Sequence, residues 1–533
     1  MPTEAGRRTI LAATSAVDVA ATRRPVQPIP AVRRPPAARV LSPSLLLLIL
    51  IGQACLSARL IWANTAFQDE ALYLWAGRLE LAHWLHGASI PAFPTYFSGA
   101  PVLYPPLGAL ANSLGGLAAA RILSLLLMLG ATALLWCTAS MLFGRRAAFF
   151  SAALWAALGP TQQLGAFATF DALSLFLMAA AACCVVRAGQ SRQATGWTLA
   201  AGAALMAANA ATYSSLLFDP VILALAALTA QRQSGWATAR SRITSLLAYL
   251  ATAVAILVKL GGPWYLQGIA HTVLDRVSGS SPALAVLGQA WGWTGVIVVL
   301  SFAAVGIGLV CETGWQPRLI LATLAVAAVL VPAEQARIGT LTSLNKHADV
   351  GAWFAAIAVG YAICRTISLL RLRVLQVMAC LTCAAALYFP VMTGVAQADA
   401  LSNWPNAAAF VTWLRPVADH RTGPMLIETP SVAEYYLPAG SQWKRWSSTF
   451  NITLPSGHVV EHSGQIGFPG HPQTYRKFIV RGYFSVIALD HGLASALDRV
   501  LIRYIERDHD YRLLAIVPYG KSGYSVWVRT AAR

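Results

Sequence analysis

The run AAARILSLLLMLGATALLWCTASMLFGRR, residues 118–146, decides what kind of protein this chain is. From Ala118 to Phe143 it carries a single charged residue, Arg121, over a length that exceeds the ~20 apolar residues needed to cross a hydrocarbon core as a helix. It stops at Gly144-Arg145-Arg146, the basic punctuation that keeps a short loop on the cytoplasmic side. Blocks of the same kind occupy 243–260 and 285–311. Of the 533 residues 57% are hydrophobic and 11% charged, whereas a soluble domain carries about 25% charged residues. Such a chain has too little polar surface to cover a water-soluble fold, so the blocks are membrane spans.

Working outward from that span, eleven segments are long and apolar enough: 42–62, 118–143, 147–163, 167–187, 196–210, 212–230, 243–260, 285–311, 318–334, 349–364 and 374–394. Arg145 and Arg146, Arg187 and Arg192, Arg232, Arg240 and Arg242, Arg318, and Arg365, Arg371 and Arg373 fall in alternate loops. The first 41 residues, with Arg7, Arg8, Arg23, Arg24, Arg33, Arg34 and Arg39 among Pro, Ala and Thr, share that side and read as a disordered basic tail. The expectation is therefore a multi-pass protein with a cytoplasmic N-terminus. A membrane module over 42–394 carries a long first exterior loop at 63–117, and residues 395–533 form an exterior domain.

The exterior segment is richer in Pro, Gly, Trp and Tyr. Alternating runs at Lys477-Phe478-Ile479-Val480 and Tyr524-Ser525-Val526-Trp527-Val528 predict strands, and stretches near 405–415 and 493–505 predict helices, which makes a small α/β domain. The net charge of +18 is spread over loops and tail without a basic face interleaved with aromatics, which excludes a nucleic-acid partner. All eight cysteines lie in or beside apolar segments, and none follows residue 383, so the exterior domain has no disulfide or thiolate site. Composition suits a bacterial plasma membrane.

Chemistry-bearing residues cluster at the outer ends of spans. The first exterior loop opens with FQDEALYLWAGR, residues 67–78, whose mixed pattern suits an interfacial helix with Asp69 and Tyr73 on one face at i, i+4 spacing. Asp69 either N-caps this helix, with Glu70 favouring its positive end, or does chemistry. Asp171, at the outer start of the fourth span between Phe170 and Ala172, is either a cap or a functional acid, because an ionisable group at that depth needs water, a cation or a donor. Glu334, Arg337, Lys346, His347 and Asp349 surround the loop before the tenth span. There Arg and Lys either clamp a lipid phosphate or are ordinary solvated loop charge. His83 and His86 lack a third ligand for a metal site.

Five features in this order resemble the GT-C superfamily of membrane glycosyltransferases, in particular the aminoarabinose transferases of lipid A and the protein O-mannosyltransferases. They are the Asp69-Glu70 pair, Tyr104-Pro105-Pro106-Leu107, Ala119-Ala120-Arg121-Ile122, Phe143-Gly144-Arg145-Arg146, and an acid opening the fourth span. The resemblance is specific over about 55–190 and topological beyond. It implies a glycosyltransferase that takes a sugar from a polyprenyl-phosphate donor at the outer face, with a glycan, lipid or protein as acceptor and with inversion of the anomeric centre, because no protein nucleophile intervenes. It also implies catalytic roles for three acids: Asp69 as general base or acceptor-orienting carboxylate, Glu70 as its neighbour, and Asp171 as a second acid orienting the acceptor, a metal or a basic group. The aminoarabinose transferases tend to have a basic residue before the Pro-Pro pair, where this chain has Tyr104. Tyr73 and Tyr104 are accordingly substrate-binding candidates, and Arg337, Lys346 and His347 are the donor-phosphate candidates. Whether a divalent metal ion takes part stays open. The rival reading is a transporter or lipid flippase, which would place acids or broken helices at the bilayer midplane.

Overall fold

A computed structural model of the chain describes residues 37–270, 272, 278–462, 470–508, 510–520 and 523–530. The basic tail read over 1–41 lies outside these residues as far as residue 36. Residues Ser44–Arg533 form one compact unit.

The membrane part runs α1 (Ala37–Ile61), α2 (Gln68–His86), α3 (Tyr104–Phe143), α4 (Arg145–Ala157), α5 (Gly159–Leu164), α6 (Phe170–Gln190), α7 (Ala194–Ala211), α8 (Asp219–Ile269), α9 (Ala283–Cys311), α10 (Trp315–Arg337), α11 (Leu344–Ser368), α12 (Arg373–Ala386) and α13 (Tyr388–Leu401). Among the described residues, eight helices are long and apolar enough to cross a membrane: Pro43–Ile61, Tyr104–Phe143, Phe170–Gln190, Tyr213–Arg232, Ala283–Cys311, Trp315–Arg337, Leu344–Ser368 and Arg373–Leu401. The other three of the eleven expected segments are helical but shortened or merged. Segment 147–163 breaks at the extended residue Leu158 into α4 and α5, because Gly159-Pro160 restarts the helix. Segment 196–210 is α7, whose Thr, Gly and Asn dilute its apolar character. Segment 243–260 is the middle of α8, set off by kinks at Gly235 and Gly262, where φ is 82° and 64°. A similar break at Gly115-Gly116 divides α3 into a stretch within the first loop and the span expected from 118.

The C-terminal part continues with α14 (Ala408–His420), β1 (Met425–Ile427), α15 (Ser431–Tyr436), β2 (Trp446–Ser447), β3 (Asn451–Thr453), β4 (Val459–His462), α16 (Pro472–Val480), β5 (Val486–Leu489), α17 (Ser495–Arg507), β6 (Tyr511–Val517) and β7 (Tyr524–Arg529). Five strands form one sheet in the order β2-β1-β5-β7-β6, with β1 parallel to β2 and β5, and β7 antiparallel to β5 and β6. The strand expected at 524–528 is β7. The strand expected at 477–480 is instead the end of α16. Pro472 opens that helix, the His471 side chain caps it, and Tyr475 and Ile479, four apart, are its buried residues, a period of one helical turn rather than of two residues.

Two apolar cores position the site. One fills the helix bundle, from Met128 and Leu135 of α3 to Trp353 and Phe354 of α11. The other runs from α2 of the first loop through Tyr104 and Phe170 into α14, α15 and the sheet. The first-loop helix is therefore a core element between the bundle and the C-terminal sheet. Gly77 marks how closely it lies on α3, since a Cβ there would stand 1.9 Å from the Pro105 carbonyl oxygen.

Candidate active site

The site grows from the first turn of α2. Phe67 is extended, and its N–H donates to the Glu70 carboxylate at 3.0 Å, so Glu70 rather than Asp69 satisfies the helix start. Glu70 also accepts the Ala168 N–H at 2.8 Å and two bonds from Arg121, Nε at 2.8 Å and Nη2 at 2.7 Å. Each of its oxygens thus takes two donors. The remaining donors of Arg121 reach the carbonyls of Ile61, Asn64 and Thr65, which uses all five guanidinium N–H groups. The pair is wholly buried. Glu70 and Arg121 tie the end of α1, the start of α2, α3 and the turn before α6 to one another, and no lone pair of Glu70 is left in place for a substrate.

One residue earlier, Asp69 turns the other way. Its Oδ2 meets Lys346 Nζ at 2.9 Å, and the same ammonium lies 3.3 Å from Asp171 Oδ2. Asp171 Oδ2 also accepts the Thr169 hydroxyl at 2.8 Å, and its Oδ1 faces His347 Nε2 at 3.7 Å. Neither acid is an N-cap: the caps are Phe67 and Thr169. The Gln335 amide donates to His347 Nδ1 at 3.3 Å, which leaves Nε2 carrying the proton toward Asp171. Lys346 is packed under the Phe167 ring, 5.2 Å from its centroid. Asp171 and Lys346 are 4% and 8% exposed, while Asp69 is 27% exposed, and among the described residues no hydrogen bond reaches Asp69 Oδ1. Two carboxylates thus share one buried ammonium, and one of them, Asp69, is partly exposed with an oxygen that no hydrogen bond reaches among the described residues.

The walls are aromatic. Tyr73 packs on Phe170 at 4.6 Å and edge-on to Phe97 and Tyr104 at 5.4 and 6.5 Å. Burial, and after it the charges of Asp69 and Asp171, hold the Tyr73 hydroxyl well above its usual pKa, so it remains a proton-bearing phenol. Tyr104 is 1% exposed and forms wall rather than surface. Phe67, Phe167 and Trp404 meet in a three-ring cluster, and the Trp404 indole donates to the Thr65 carbonyl.

The structure brings Asp69, Asp171, Lys346, His347 and Tyr73 together, with Tyr104 behind Tyr73. It does not bring Arg337 to them: its guanidinium makes two bonds to Glu334, at 2.8 and 2.6 Å, on an exposed turn. Sequence reasoning missed the Arg121 strut and the rings of Phe167 and Trp404. Arg121 had a signal, since an arginine inside an apolar run requires a buried partner. Trp404 had none, because it lies far along the chain. Asp69, Asp171 and His347 are the donors that a divalent cation would draw on here, and Lys346 Nζ already stands between the two carboxylates.

Residues 101–260 match the family described as dolichyl-phosphate-mannose-protein mannosyltransferase. A crystal structure of ArnT from Cupriavidus metallidurans in the apo state superposes with a TM-score of 0.58 at 13% identity, covering 92% of this chain and 97% of that one. The same protein bound to undecaprenyl phosphate gives 0.56 at 14% identity, over 93% and 98%. This chain shares the fold of ArnT. The archaeal oligosaccharyltransferase AglB from Archaeoglobus fulgidus, in complex with an inhibitory peptide and a dolichol-phosphate, shares this fold with a TM-score of 0.56 at 13% identity, over 91% of this chain and 74% of that one. No curated protein matches the chain by sequence. The acid pair lies where the first loop joins the helical bundle to the C-terminal sheet.

Proposed function

We propose that this protein is a glycosyltransferase that moves a sugar from a polyprenyl-phosphate carrier to an acceptor hydroxyl or other nucleophile at the outer face of a bacterial plasma membrane. The observation that carries the reading is the Asp69 carboxylate, accessible on one oxygen and fixed on the other by a lysine that it shares with Asp171. The matching family and the GT-C fold support it, since ArnT is described bound to undecaprenyl phosphate and AglB in complex with dolichol-phosphate. In this mechanism Asp69 takes the acceptor proton as the acceptor attacks the anomeric carbon. The bond from that carbon to the phosphate oxygen breaks, and its electron pair leaves on the polyprenyl phosphate. Direct displacement without a protein nucleophile inverts the anomeric centre. Asp171 with His347 holds Lys346 in place, and Lys346 supplies positive charge beside the leaving phosphate. In this reading 42–394 is the catalytic module and 395–533 an exterior domain that supports the first loop. The acids stand at helix starts and in the first loop rather than in mid-span, which favours a surface reaction over a transit path.

The test is turnover by the purified protein in lipid nanodiscs against a panel of polyprenyl-phosphate sugars. Released polyprenyl phosphate is measured and the anomeric configuration read by NMR. Wild-type protein releases the carrier with inversion, and Asp69→Asn, which keeps the size of the side chain, lowers kcat by about 10²–10⁴-fold at unchanged melting temperature. Wild-type rates in Asp69→Asn would remove the base assignment. Solute flux without carrier release would replace the enzyme by a transporter.

A further inference from the structure

The exterior sheet carries a second cluster of acids that the transfer reaction does not use. β1 and β5 are parallel neighbours, paired Ile427 to Ala488, so the residues that follow them, Glu428 and Asp490, leave the sheet side by side at its carboxyl edge. Asp498, in the first turn of α17, faces the same point. One carboxylate oxygen from each of the three lies within 4.8 Å of the others. The carboxyl ends of neighbouring parallel strands are where open α/β sheets commonly hold ligands.

The loop that links β5 to α17 is wrapped around this point. Glu428 accepts the Asp490 and Ala494 N–H groups at 2.8 and 2.9 Å, one on each oxygen. Asp490 Oδ1 accepts the Gly492 N–H at 2.9 Å, and Asp498 Oδ2 accepts the His491 N–H at 3.1 Å. His491 adopts φ 58° to make that turn. Backbone donors thus fix each carboxylate but do not saturate the cluster. Asp498 is 0% exposed, and its Oδ1 is buried without any hydrogen-bond partner. A buried acid oxygen with no donor is costly, and among the described residues neither Glu428 nor Asp498 forms an ion pair with a basic side chain.

We propose that Glu428, Asp490 and Asp498 bind one divalent cation, with Ca²⁺ as the best fit, at the carboxyl edge of the exterior sheet. The orphaned Asp498 oxygen supplies the ligand atom that no protein donor satisfies. The ligand set is all oxygen and carries no thiolate or imidazole, which suits a hard cation, and its irregular origin from two strand ends and a helix turn suits Ca²⁺ better than the near-ideal octahedron that Mg²⁺ demands. Only Thr429 and Pro430 separate Glu428 from α15, and α15 packs against α2, so the cation braces the segment that supports the Asp69 helix. The site is independent of the transfer chemistry.

The experiment uses the full chain in detergent, stripped with EDTA, with CaCl2 and MgCl2 titrated separately by calorimetry and by thermal unfolding. The expected result is one saturable Ca²⁺ site with Kd about 0.1–1 mM, the range of extracellular calcium modules, and a rise in melting temperature with Ca²⁺. Asp498→Asn keeps the acceptor for the His491 N–H and removes one of three clustered charges, so its stripped form melts at or above the wild-type temperature. It weakens Ca²⁺ binding by about tenfold or more, because charge count sets affinity at such sites. Glu428→Gln serves as the second variant and weakens binding in the same way. No saturable Ca²⁺ response in the wild type up to about 10 mM, or equal binding by wild type and both variants, would overturn the proposal. A tighter response to Mg²⁺ than to Ca²⁺ would overturn the choice of ion.

Discussion

At the scale of single residues, adjacent acids in one helical turn have opposite environments. Glu70 is saturated by Arg121 and two backbone N–H groups, whereas Asp69 keeps one oxygen uncommitted. The sequence reading grouped both with Asp171 as catalytic; the geometry supports a positioning role for Glu70. Removing one partner of a buried pair strands the other, so Glu70→Gln or Arg121→Met is expected to cost about 3–5 kcal/mol in unfolding free energy. Urea unfolding in micelles followed by tryptophan fluorescence checks this, and a loss below ~1 kcal/mol would deny the strut. Lys346 gives a separable prediction. Lys346→Ala raises the donor concentration needed for half-maximal rate by one to two decades more than the acceptor concentration, because a charge-assisted contact contributes about 1.5–3 kcal/mol. Arg337→Ala changes donor titrations less, since its guanidinium lies with Glu334 on an exposed turn outside the Asp69–Lys346–Asp171 cluster. Equal donor titrations in wild type and Lys346→Ala would move the phosphate site elsewhere.

At the scale of elements, α15 of the C-terminal part is clamped to α2. Arg78 donates to the Tyr435 carbonyl at 2.7 Å and lies over the Tyr435 ring, Trp75 donates to the Gly440 carbonyl, and the Tyr436 hydroxyl accepts the Ala66 N–H. Within this contact Glu434 is 6% exposed, and burial pushes its carboxyl up from 4.5 to about 8. The folded state therefore holds a proton that the unfolded state has released over that interval. Stability present below pH 4.5 is lost as pH rises toward about 8, and the curve is flat above it. Glu434→Gln removes the loss, so its melting temperature exceeds that of the wild type at pH 8.5 and converges on it near pH 4.5. Parallel melting curves at the two pH values would show that Glu434 does not titrate across folding.

At the scale of the whole molecule, everything proposed for Asp69 requires the first loop and the exterior part to lie on one side of the membrane. Cysteine placed at Ser89 in the first loop or at Ser456 in the β3–β4 turn, both exposed, is expected to react with a membrane-impermeant thiol reagent in intact cells. Cysteine at Gln193, exposed between α6 and α7 beside Arg192, is expected to stay unlabelled. Ser447, an obvious choice from sequence, is 1% exposed within β2 and would report burial instead of sidedness. Labelling at Gln193 but not at Ser89 would invert the protein and remove the lipid-linked donor reading. Labelling at Ser89 without Ser456 would put the exterior part on the cytoplasmic side.

The sequence by itself determined the membrane class, the alternation of basic loops, and the acids at 69 and 171, because apolar length, loop charge and an ionisable group at a span end are local properties. It also determined β7, α14 and α17, whose periods lie within single segments. It did not see that Leu158 divides segment 147–163 into two helices before Gly159-Pro160, and it misread 477–480, where four residues are too few to tell a period of two from 3.6. Only the tertiary structure decided which acid is spent and which is accessible. Arg121 lies 51 residues from Glu70, and Lys346 lies 277 residues from Asp69. Contacts over such separations are fixed by how helices pack, and packing sets direction as well as distance: Asp69 and Glu70 are neighbours in sequence, yet successive residues of a helix point about 100° apart.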